Sequence, residues 1–76
     1  MNKSKRKADI MINEDEKILI ALQEIQQKLA GVRQAFEAAT DEALVDSYIY
    51  EMIALNKKYE YYLKTARKMG LRAPVA

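Results

Sequence analysis

Apolar residues recur along this chain at alternating intervals of four and three, in two separate runs, and that pattern restricts the fold more than any other feature. The first run is Ile18, Leu22, Ile25, Leu29, Val32 and Phe36; the second is Val45, Tyr48, Met52, Leu55, Tyr59, Tyr62, Ala66 and Met69. A repeat averaging 3.5 residues lays one apolar stripe along a helix and sets a seam against a facing helix. Folding the chain about Ala39 brings the stripes together: Phe36 meets Val45, Val32 meets Tyr48, Leu29 meets Met52, Ile25 meets Leu55, Leu22 meets Tyr59 and Ile18 meets Tyr62. Each pair of residue numbers sums to 80 or 81. The prediction is an all-α chain, an antiparallel two-helix hairpin of coiled-coil type, with these twelve residues as its core.

Local signals predict where the helices begin and end. Asn13 followed by Glu16 has the residue types of a capping box, and the acids Glu14, Asp15 and Glu16 suit the positive end of a helix dipole. Helix one is expected over about 13–38. Its phase runs through Gly31, so one helix is read there, with a kink at the glycine as the alternative. Thr40 is the expected N-cap of helix two, over about 41–69, with Asp41 and Glu42 in its first turn. Gly70 after Lys68 and Met69 reads as a stop, and Pro74 opposes a restart. Residues 1–12 are read as a basic flexible tail, 13–70 as the hairpin, and 71–76 as a C-terminal tail, with Met11 able to cover the open end against Met69.

The chain of 76 residues holds a single unit, and half its residues are apolar. It has no cysteine, hence neither disulfides nor thiolate metal sites, which points to the cytoplasm. The basic start resembles a signal peptide, but Ile10, Met11 and Ile12 are too short an apolar stretch before the acids. No run approaches the roughly 20 apolar residues of a membrane span. A chain this small rarely stabilises itself on one core, and the stripes are not its only apolar surface. Leu19 and Ile20 on helix one, and Ile49, Ile53 and Leu63 on helix two, flank them and need a cover. The simplest expectation is a homodimer of hairpins forming a four-helix bundle; a protein partner docked on the same flank is the competing one. Asn56 lies on that flank, able to fix register if buried.

No catalytic constellation is present. Without histidine there is no ordinary general base at neutral pH and no imidazole metal ligand, and no phosphate-cradling glycine motif occurs. Glutamates such as Glu24, Glu51 and Glu60 lack the Glu-x-x-His partners of di-metal bundles. The expectation is a non-enzymatic protein without metal or cofactor, acting as an interaction module or adaptor.

Charge suggests an alternative. Residues 1–9 carry four bases and one acid, 38–56 four acids and no base, and 57–72 six bases and one acid. The antiparallel arrangement sets Glu14, Asp15 and Glu16 near Lys64, Arg67 and Lys68, which favours that orientation weakly. Lys57, Tyr61, Lys64 and Lys68 fall on one helix face opposite the core, and Tyr50 extends the line. With the tail residues Lys3, Lys5, Arg6 and Lys7, this face would suit a nucleic-acid accessory protein, the lysines meeting phosphates and the tyrosine stacking on a base. The competing reading is a solvated face in which Glu60 pairs with Lys64. Tyr48, Tyr59 and Tyr62 belong to the core stripe, with hydroxyls reaching water or a carboxylate at its edge.

Residues 41–71 also resemble the YaaL-type family of short helical proteins of Firmicutes. Ile49-Tyr50-Glu51, Ala54, Lys58-Tyr59, Tyr62-Leu63 and Ala66-Arg67 occupy the places of that family's pattern. Helix one agrees in its acidic start, Asp15 to Leu19, while Leu55-Asn56 departs from the usual small and acidic pair. The resemblance implies a small cytoplasmic helical protein without an assigned activity, often encoded near recombination and sporulation genes.

Overall fold

The computed structural model describes residues 13–71. Within them the chain forms two helices, α1 (Glu14–Ala38) and α2 (Glu42–Lys68), packed along one another as a hairpin. At 1.5 Å per residue each rod is about 40 Å long. Both span the described unit from end to end.

The start of α1 is closed reciprocally. The Glu16 N–H donates to the Asn13 side-chain oxygen at 2.8 Å, and the Asn13 N–H donates to a Glu16 carboxylate oxygen at 3.3 Å. This is the capping box expected from the sequence, with Glu14, Asp15 and Glu16 in the first turn. The connection is only 39–41. Here the structure corrects the sequence reading: Asp41, not Thr40, caps α2, its carboxylate accepting from the Leu44 N–H at 3.1 Å while its carbonyl accepts from Val45. Aspartate is the stronger capping residue, and a cap one position later leaves Thr40 in the turn.

α2 ends in a Schellman turn. Gly70 adopts φ +76, its N–H donates to the Arg67 carbonyl at 3.0 Å, and the Leu71 N–H donates to the Ala66 carbonyl at 2.8 Å. Leu71, expected from sequence to start a tail, is thereby tied back and half-buried. A side chain at position 70 would strain the left-handed conformation, so Gly70→Ala is expected to lower stability by about 1 kcal/mol. A denaturant midpoint unchanged from wild type would contradict this.

The core is narrow. Among the described residues, the buried ones are Leu22, Ile25, Leu55 and Ala66, with Leu22 and Ala66 wholly inaccessible. Ile18, Leu29, Val32, Phe36, Val45, Tyr48, Met52, Tyr59 and Tyr62 are half-buried along the same seam. Met69, the last residue of the second run, is exposed, and its expected neighbour Met11 lies outside the described residues. The register is visible in the surface hollows of the seam: Val32 and Tyr48 line one, and Ile25 and Leu55 line another. As residue numbers rise on α1 they fall on α2, so the helices run antiparallel.

Gly31 sits inside α1, which continues through it without a break. A Cβ built there meets nothing within 4 Å. The glycine therefore carries its helix-propensity penalty with no steric need in the hairpin itself. Gly31→Ala is expected to stabilise the protein by about 1 kcal/mol, read as a raised midpoint in thermal or urea unfolding.

Candidate interaction surfaces

A two-helix hairpin has two broad faces and two outer edges, and the functional candidates distribute over them. One broad face carries the hollows. The larger, about 540 Å³, is open and lined by Lys28, Gly31, Val32, Ala35, Tyr48, Glu51 and Leu55; the smaller, about 140 Å³, adds Ala21, Glu24, Lys58 and Tyr62. Small side chains at 21, 31 and 35 leave the space. The sequence pattern does not single out this side, nor exposed Leu44 on it, since neither residue size nor one apolar position disturbs the heptads.

With Ala21, Lys28 and Ala35 of α1 and Glu51 and Lys58 of α2 on that face, the opposite flank of each helix forms the other broad face. It brings together Leu19 and Gln26 from α1 with Ile49, Asn56 and Leu63 from α2. Leu19 and Leu63 are half-buried; Ile49 is 38% exposed and Asn56 exposed. A cross-helix hydrogen bond runs here, from Gln26 Nε2 to the Tyr59 hydroxyl at 3.1 Å. The sequence suggests water or a carboxylate as the partner of the tyrosine hydroxyls; for Tyr59 the partner is a neutral amide on the facing helix. Any polar side chain on that flank of α1 could have served, so periodicity alone does not select Gln26.

The remaining apolar candidates are more outlying. Ile53 lies two residues from Leu55, about 160° round the helix, and is 51% exposed on the outer rim of α2. Ile20 stands equally far from Ile18 and Leu22, exposed on the outer edge of α1 and not part of the surface that Ile49 and Leu63 share.

The basic candidates occupy the outer edge of α2. Lys57, Tyr61, Lys64 and Lys68 are all exposed, as is Tyr50. The Tyr61 ring meets the Tyr62 ring edge-on, centroids 5.1 Å apart at 74°. Glu60 pairs with Lys57 at 3.9 Å, not with Lys64 as the i, i+4 spacing predicts. Both partners are well exposed, so the choice between two neighbouring lysines involves little energy. The expected approach of Glu14, Asp15 and Glu16 to Lys64, Arg67 and Lys68 produces no ion pair; among the described residues the two ion pairs, Lys17–Glu14 and Lys57–Glu60, each lie within one helix. The tail bases Lys3, Lys5, Arg6 and Lys7 lie outside the described residues.

No helix among the described residues is long and apolar enough to cross a membrane. No group of three His, Cys, Asp or Glu side chains among them converges to hold a metal ion. Residues 1–73 match the model of a family described as Protein of unknown function (DUF2508). No curated protein and no solved structure matches the chain.

Proposed function

The chain belongs to this family of small proteins of unknown function, and we propose that it is a non-enzymatic interaction module that pairs with a second copy of itself. The observation that carries the reading is the half-open apolar surface of Leu19, Ile49 and Leu63, bordered by Ile53, on a hairpin whose fully buried residues are so few. Exposed apolar side chains scattered singly are ordinary; exposed Ile49 beside half-buried Leu19 and Leu63 on one face of a thin hairpin, with exposed Ile53 at the rim, makes a surface awaiting a cover. A second copy supplies the same surface in return through a two-fold contact, turning two thin layers into a four-helix bundle of coiled-coil type with a shared interior. Asn56, exposed in the single hairpin, then lies at the interface and sets the register.

The module works in the cytoplasm under this reading, consistent with a chain free of cysteine, and the family corresponds to the YaaL-type proteins of Firmicutes resembled by residues 41–71. Its activity is to present a surface, not to transform a substrate. Sedimentation velocity of the purified chain across a wide concentration range tests the pairing. A species of twice the chain's mass, dissociating on dilution with loss of helicity, is the expected result. A folded monomer at every concentration sinks self-association and leaves a different protein as the cover.

A further inference from the structure

We propose that the outer edge of α2 is a docking strip for single-stranded nucleic acid, with Tyr61 and Tyr50 as base-stacking platforms and Lys57, Lys64 and Lys68 as phosphate contacts. The strip faces away from the seam, and it is distinct from the apolar surface through which the chain is proposed to pair. Tyr50, Lys57, Tyr61, Lys64 and Lys68 follow one another at helical spacing, spanning about 27 Å along the rod. That length matches the shortest single-stranded sites, about 4 nucleotides.

Three observations favour this ligand. Tyr50 and Tyr61 are 72% and 63% exposed, large for aromatic residues, whereas Tyr59 and Tyr62 on the seam side of the same helix are half-buried. Tyr61 is also restrained: its ring meets the edge of Tyr62, itself half-buried against α1, so part of the ordering needed for stacking is already in place. Finally, among the described residues Lys64 and Lys68 make no ion pair, and Lys57 is held to Glu60 by a weak, exposed contact that a phosphate can replace. Every nucleobase offers a π-face, so tyrosines and lysines along a rod suit an unpaired strand of any sequence. A duplex is a poorer fit, because its stacked bases offer no open face to Tyr50 and Tyr61. A lipid surface is poorer still, since the strip itself is basic and aromatic and the main apolar stripe of α2 is turned toward α1.

The test is fluorescence anisotropy of a labelled oligothymidylate of about 15 nucleotides, titrated with the full chain over a series of salt concentrations. Binding at low ionic strength that weakens steeply with salt is expected. Tyr61→Ala should weaken it about tenfold while Tyr61→Phe keeps it, as stacking requires the ring and not the hydroxyl. The pair Lys64→Gln with Lys68→Gln should reduce the salt slope by about 1.4, the amount expected when two phosphates of a single strand are no longer neutralised. All these side chains are exposed, so circular dichroism and the sedimentation profile should stay at wild type, separating loss of binding from loss of pairing. The proposal is overturned by absence of binding at low ionic strength, or by equal affinity in Tyr61→Ala. It is overturned equally by an unchanged salt slope in the double lysine variant, which would assign binding to other bases, or by preference for duplex DNA or anionic vesicles.

Discussion

Leu22→Ala is expected to destabilise the protein by about 2–5 kcal/mol, a large fraction of the total stability of a domain this small. Leu22 is the largest side chain with no accessible surface at all, and its removal empties space enclosed by both helices. The seam has few substitutes. Ile25 and Leu55 are its only other buried branched side chains among the described residues, and each is itself needed where it stands. By contrast Leu29→Ala, at a half-buried position of the same stripe, should cost markedly less, because part of that side chain already faces water. Urea unfolding of both variants followed by helical circular dichroism checks the order. Equal losses would mean that the seam is packed differently from the one described.

Replacing Ile49 and Leu63 together by aspartate is expected to abolish self-association, raising the dissociation constant at least about a hundredfold. Each aspartate would place a charge in an apolar contact, and the two-fold symmetry of a homodimer repeats every such penalty on the partner. Ile49 is exposed on the isolated hairpin, so its replacement acts chiefly on the pair; Leu63 is half-buried there, so Ile49→Asp alone separates loss of pairing from loss of fold. If folding and pairing are one event, the variant will also lose helicity at concentrations where the wild type is folded. Ile20→Asp, on the outer edge of α1, serves as the comparison and should leave the mass unchanged. A double variant that still sediments as a dimer would direct attention to the opposite face, where Gly31 and Ala35 leave a hollow.

The sequence alone determined the features governed by neighbours within about one helical turn. The capping box of Asn13 and Glu16, the left-handed stop at Gly70 and the continuity of α1 through Gly31 all depend on interactions between residues a few positions apart. The hairpin and its antiparallel sense were legible for a related reason: one apolar stripe per helix, joined by a short polar turn, admits few pairings. The candidate surfaces were legible as helix faces, since spacing tells which residues share a side.

Tertiary structure decided how far each residue on those faces is covered. Leu19 and Leu63 are half-covered and Ile49 nearly so, while Ile53 on the outer rim is half exposed, a gradation that depends on how side chains of unequal size interlock across the seam. The same packing sets Gln26 within hydrogen-bonding distance of the Tyr59 hydroxyl. At the turn, Asp41 displaced Thr40 as the cap, and on the surface Glu60 chose Lys57 over Lys64. In both cases two nearby residues offered similar chemistry, and the difference between them is small. Such small differences are settled by three-dimensional geometry, which a periodic pattern of residue types does not contain.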